Sequence, residues 1–248
     1  MSDPLAPLLD LAGVAEAFQA AGRAADEAMR HPALRRSGGR VAAEVSLRGA
    51  AASAALEDRR YDLEQVREGL LTDPIVQGCL RVGGALDGLL DTWRLAPRQA
   101  LARLHVLAGR EVVDEVELGR PVPGPDVAAR IEDLTALVTG GTRAPAMLVA
   151  AVVEGELLAL RAFAGPYGVV ARGAARLALM SGGLDPRGLL AVEVGHLARE
   201  PEYVGSAGAF ATGTPDGVRS WLRHFAAAME GAAAELTVVC DQIGGAPG

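Results

Sequence analysis

Apolar residues recur every three to four positions along most of this chain, which lays one hydrophobic stripe on a helix, and alternating apolar and polar runs are scarce. The pattern predicts helices over 8–29, 40–57, 63–70, 73–93, 97–109, 127–138, 146–160, 169–180 and 215–239. Punctuation residues agree with these limits. Pro32 closes the first helix, because the residue before a proline is pushed out of the helical region. Val41, Val45, Leu47, Ala51, Ala54 and Ala55 make the stripe of the second. Asp62 with Gln65 three positions on reads as a capping box, and Pro74 and Pro97 sit where a first helical turn tolerates proline. Ser37, Gly38 and Gly39 read as a hinge between an N-terminal helical segment, 1–36, and a main helical domain, 37–248. The stretch 110–125, with Val112, Val113, Val116 and Leu118 ahead of a Pro-rich run, holds at most one short β-hairpin. The expected fold class is all-α, with at least seven helices.

Composition alters the picture by exclusion. Aromatics are only 4% of the chain, so the core must be built from Ala, Leu and Val. All 24 basic residues are Arg, and there is neither Lys nor Asn. That rules out a P-loop lysine, a Schiff-base lysine and an N-glycosylation acceptor. A formal charge of −7 argues against a phosphate-neutralising surface, so no nucleic-acid partner is expected. The most apolar run, 144–160, carries Glu154 and Glu156, which argues against a bilayer span. The first residues lack the basic region of an export signal, and a cytoplasmic location is the expectation. Cys79 and Cys240 are too few for a disulfide framework, and His31, His105, His196 and His224 show no metal-ligand spacing, so no metal site is expected.

The most informative segment is RAFAGPYGVVAR, 161–172, a glycine-bearing loop between two apolar helices. A helix start with free N–H groups, next to Arg161, Arg172 and Arg176, suits an anion. The segment resembles the central motif of the Fic (Fido) family, which reads HxF, any residue, an acidic residue, G, N, a Gly or Lys, then RxxR. Phe163, Gly168 and Arg172 match that motif. Arg161 replaces the His, Gly165 the acidic residue, Pro166 the first Gly, Tyr167 the Asn and Val169 the first Arg. Flanking blocks are also similar to the family: 174–186 after the loop, Glu202-Tyr203 and 220–225 further on. Upstream, Ser53 and Glu57 resemble the inhibitory helix of that family, about 40–58, with Asp58 where Gly or Asn is usual.

The resemblance implies an all-α core that moves AMP from a nucleotide to a protein hydroxyl. In it, His is the base and the acidic residue holds Mg²⁺ on the phosphates, so ATP with Mg²⁺ would be the cofactor. The substitutions remove that chemistry. A guanidinium stays protonated and cannot act as base, and Pro166 has no N–H to offer a phosphate. Loss of a general base alone typically costs about 10²–10⁴-fold in rate. The reading is a pseudoenzyme that binds or regulates a protein partner, or senses a nucleotide. Its anion-binding candidates are Arg161, Gly168, Arg172 and Arg176, and its inhibitory-helix candidates are Ser53 and Glu57. One alternative is an active transferase or deAMPylating hydrolase that uses Glu57 or Glu154, with His196 as a displaced base. Another is a helical interaction module. A homo-oligomer is compatible with either. Glu154 and Glu156 otherwise read as solvent-edge breaks in an apolar helix. Glu57 and Arg172 are expected to approach within about 4 Å, because each sits badly on its own helix dipole.

Overall fold

The computed structural model describes residues 3–245; residues 1–2 and 246–248, the outer ends of the two segments defined above, lie outside the described residues. A 3₁₀ turn, Ala6–Asp10, leads into eleven α-helices: α1 (Val14–Met29), α2 (Ala33–Ala55), α3 (Leu63–Arg67), α4 (Pro74–Leu95), α5 (Pro97–Gly109), α6 (Pro125–Ala136), α7 (Ala146–Leu160), α8 (Tyr167–Ser181), α9 (Val192–Ala198), α10 (Glu200–Phe210) and α11 (Pro215–Gly244). A π-helical turn, Leu137–Gly141, ends α6. Among the described residues there is no sheet, and the fold is all-α as the apolar periodicity predicts.

Helix α8 is the centre of the molecule. Every residue from Gly168 to Met180 is buried, as a helix apolar around most of its circumference must be. It packs along α7 on one side and against α4 and α5 on another. The long α11 forms the second axis, with α1, α9, α10 and α2 laid against it. Small residues set these distances. Gly195 of α9 lies on the Ala228 carbonyl of α11, and Gly78 of α4 lies on the Ala108 carbonyl of α5, so neither has room for a side chain.

Local chemistry explains most boundaries. Gly13, in the left-handed region at φ 76°, starts α1 six residues later than the stripe suggests. The capping box forms: the Asp62 N–H donates to Gln65 Oε1 at 3.1 Å. Asp73 accepts from Ile75 N and Val76 N at the head of α4. The Ser37 hinge is a kink inside α2, with φ −133° and ψ 25°, so the helix runs through the boundary drawn at residue 37. The stretch 110–125, which allowed at most one short hairpin, forms none and is irregular. It makes turns and one isolated antiparallel bridge, Pro121 to Phe163, with Val113 set against Gly165 of the neighbouring loop while Val112 and Val116 stay exposed. Helices α9 and α10 carry Gly195, Pro201, Gly205 and Gly208, and such breakers hide them from periodicity.

Candidate active-site loop and the buried polar network

The loop between α7 and α8 begins at Arg161, whose φ of 46° is one of two positive values on non-glycine residues among those described. Its side chain is exposed and lies over the Tyr167 ring, 5.8 Å from the centroid. The next residues are held from above by 105–122. His105 is fully buried, with its Nδ1 accepting from Gly119 N at 3.0 Å. Its Nε2 must then carry the hydrogen donated to Ala164 O at 2.9 Å, so the ring is neutral. The His105 ring packs against Phe163 with centroids 4.8 Å apart and planes tilted by 42°, and the Val122 N–H donates to Ala162 O at 2.9 Å. Burial holds the His105 pKa below the ordinary histidine value. Gly165 has φ 67°, and a side chain on it would sit 2.6 Å from Val113 Cγ2.

The underside of the loop is filled from within. Arg172, 1% exposed, donates from Nε to Ser53 Oγ at 3.0 Å and from Nη2 to Ser53 O at 3.1 Å. Nη2 also reaches Glu57 Oε1 at 2.8 Å, and Nη1 donates to Tyr203 OH at 3.2 Å. Burial opposes the Arg172 charge, yet Tyr203 and Glu57 more than offset it and keep its pKa above the usual arginine range. The Glu57 carboxylate lies against the first turn of α8. A methyl group on Gly168 would collide with it and stand 3.0 Å from Arg172 Nη1. Glu57 comes from the end of α2, where Asp58 takes φ 61°, a conformation Asp tolerates better than most residues.

Sequence reasoning left Glu154 at a solvent edge, and the structure corrects this. Glu154 is fully buried on α7. Its Oε1 accepts from Tyr203 OH at 3.2 Å, and His196 Nε2 lies 3.3 Å away. His196 Nδ1 meets His224 Nε2 at 3.0 Å. A single polar chain therefore runs Glu57, Arg172, Tyr203, Glu154, His196, His224 across α2, α8, α10, α7, α9 and α11. Trp221 Nε1 donates to Ala151 O at 2.7 Å beside it. Glu156 is not part of it; it pairs with Arg130 at 3.0 Å on the surface side of α7. Tyr203 is the link that residue patterns could not reveal, because nothing in the spacing joins it to Arg172 or Glu154.

The three loop arginines do not converge on one open anion site. Arg161 faces outward, whereas Arg172 is saturated by Ser53, Glu57 and Tyr203. Arg176, 3% exposed, donates to Gly188 O at 2.7 Å and lies 3.8 Å from Glu193. Burial raises the Glu193 pKa even with Arg176 beside it. Nor do the residues present fit ATP with Mg²⁺ in the loop. Gly165 offers no carboxylate, Val113 occupies the space one would need, and Pro166 has no N–H to donate. Among the described residues no group of three or more His, Cys, Asp or Glu is placed to hold a metal ion, and no helix is long and apolar enough to cross a membrane.

No protein-family model matches the sequence, and no curated protein matches it either. Solved structures do. A Fic family protein from Desulfovibrio desulfuricans is 22% identical, with a TM-score of 0.73, over 91% of this chain and 75% of that one. Fic-1 from C. elegans is 18% identical, with a TM-score of 0.71, over 96% of this chain and 75% of that one. Superposition over nearly the whole length, with α7, the loop and α8 at the centre, gives this chain the Fic fold.

Proposed function

We propose that this protein is a Fic-fold pseudoenzyme: it does not transfer AMP and acts by binding and regulating a protein partner. One observation carries the reading. The loop is closed from both sides, by Val113, Val122 and His105 above and by the Glu57 carboxylate below. A base is missing as well, since Arg161 stands at the α7 end of the loop and cannot take a proton from a hydroxyl. The segment over the loop presents Val112 and Val116 to solvent, at 41% and 71% exposure, which supplies apolar surface for a partner beside the former site.

The test separates a blocked enzyme from one without machinery. Purified protein and its Glu57→Gly variant are incubated with radiolabelled ATP and Mg²⁺, alone and with lysate. Neither should label itself or any lysate protein. Removing the Glu57 carboxylate clears the underside of the loop but restores neither base nor metal carboxylate. The double variant Arg161→His with Gly165→Asp should also stay silent, because Val113 obstructs any side chain at 165. Labelling by the Glu57→Gly variant would overturn the proposal in favour of an autoinhibited transferase.

A further inference from the structure

The end of α2, which carries Glu57 under the loop, is tied to α10 twice. Arg172 can only donate, so its hydrogen bond at 3.2 Å makes the Tyr203 oxygen an acceptor and leaves the hydroxyl hydrogen for Glu154 Oε1, also at 3.2 Å. Arg172 in turn holds Glu57 at 2.8 Å. Beyond Glu57, Arg60 Nη2 donates to both carboxylate oxygens of Glu200, at 2.7 and 2.6 Å. Glu200 is the first residue of α10, where the helix dipole favours an anion.

Helix α10 is itself lightly held. Of its eleven residues only Tyr203, Ser206 and Phe210 are buried, and no side chain caps its N-terminus. Tyr203 and Phe210 anchor it on Trp221 of α11, with ring centroids 5.9 and 6.3 Å apart. Gly205 and Gly208 sit in its middle with nothing within 4 Å of a would-be methyl group, so packing requires neither. Glycine is the poorest helix former after proline, and two of them weaken a short helix. Arg199, non-helical at φ −128° and ψ 39°, precedes α10, and Gly213, left-handed at φ 67°, follows it. The helix therefore has a joint at each end. Segments with few buried side chains and weak local preference open at lower free energy than the core.

We propose that α10 is a latch on the α7–α8 loop. Docked, its Tyr203 and Glu200 hold the end of α2 so that Glu57 lies against the first turn of α8 and fills the underside of the loop. Opening α10 takes the Tyr203 acceptor from Arg172 and the carboxylate from Arg60 in one step, so the end of α2 loosens on α8. The loop's closure from below is thus set by the local stability of a helix that does not itself touch the loop residues. The latch rests on the pseudoenzyme reading for the meaning of a closed loop, and adds what controls the closure. Its test needs no nucleotide, so it can fail while that reading stands, and labelling with ATP would leave its outcome unchanged.

Native-state hydrogen exchange of the intact protein tests it at the amides of Glu57, Asp58 and Arg59, which bond back to Ala54 and Ala55 in the last turn of α2. Gly205→Ala with Gly208→Ala stiffens α10 at positions that contact nothing, and should slow exchange at 57–59 by about fivefold or more. Tyr203→Phe keeps the ring but removes the oxygen facing Arg172, and should quicken exchange there by about tenfold. The glycine variant carries the test even where Tyr203→Phe folds poorly. Amides of α6, which packs on α5 and α7, should keep their rates in both variants. Unchanged exchange at 57–59 in either variant overturns the proposal. An equal change across α6 overturns it too, because the effect would then belong to the whole molecule and not to a latch.

Discussion

Arg172 illustrates how one buried charge is satisfied by groups far apart in sequence. Ser53 and Glu57 reach it from α2, and Tyr203 reaches it from α10. The Glu57 carboxylate also faces the first turn of α8, where the helix dipole favours an anion. The side chains of Arg172 and Glu57 are 2% and 22% exposed, so removing one partner strands the other in a poorly solvated place. Glu57→Ala should therefore lower the unfolding free energy by about 3 kcal/mol. The same change at Glu132, whose pair with Arg98 is 65% and 61% exposed, should cost under about 1 kcal/mol. Equilibrium urea denaturation of the two variants reads the contrast, and equal costs would contradict the buried geometry.

Helix contacts in this molecule depend on glycine where two backbones touch. At Gly195 a methyl group would run into the Ala228 carbonyl, which belongs to the backbone of α11 and cannot turn aside. Gly195→Ala should push α9 off α11 and destabilise by about 3 kcal/mol, the upper range for overpacking. Gly208 sits in α10 with nothing within 4 Å of a would-be methyl group. Gly208→Ala should stabilise by about 0.5–1 kcal/mol, because it removes backbone freedom from the unfolded chain at no steric cost. Thermal melts of the two variants should move in opposite directions. That sign difference is invisible in the sequence, where both are helical glycines.

For the molecule as a whole, buried neutral histidines make stability depend on pH. Burial, reinforced by His196, pushes His224 down to about 4, and burial also holds His105 below the ordinary value. In this window the unfolded chain binds protons that the folded one refuses. The stability these rings contribute is present above the unfolded value of about 6.5 and is lost as pH falls toward the folded values. Glu44, brought down to about 2 chiefly by its hydrogen bond with Arg67, adds a loss that begins as pH falls into the ordinary carboxylate range and continues toward about 2. Asp185 and Glu193, raised by burial, act in the opposite sense. The histidine part is isolated by His105→Gln. The stability gap between wild type and this variant should shrink between about pH 7 and about pH 5, because only the wild type must keep that ring neutral. The hydrogen-exchange protection factor at Val122 N should fall over the same range, as its segment loses the His105 tie to the loop.

Local patterns determined the elements whose causes are local. Stripe spacing, the Asp62 capping box and the prolines at helix starts placed most of the longer helices to within a few residues. The approach of Glu57 to Arg172 was also legible, since two misplaced helix-end charges and a family resemblance both point to it. Burial was not. Arg172, Arg176 and Glu154 look like solvated charges in a string of letters, and only packing around α8 turns them inward and supplies their partners. Tyr203 and His196 join that network from α9 and α10, which breaker residues conceal and which persist because α11 covers them. The loop's closure likewise depends on 105–122 folding across it, a contact between segments more than forty residues apart. Periodicity reads what a residue does to its own turn; which charges meet in the interior is decided by packing between segments that the chain keeps far apart.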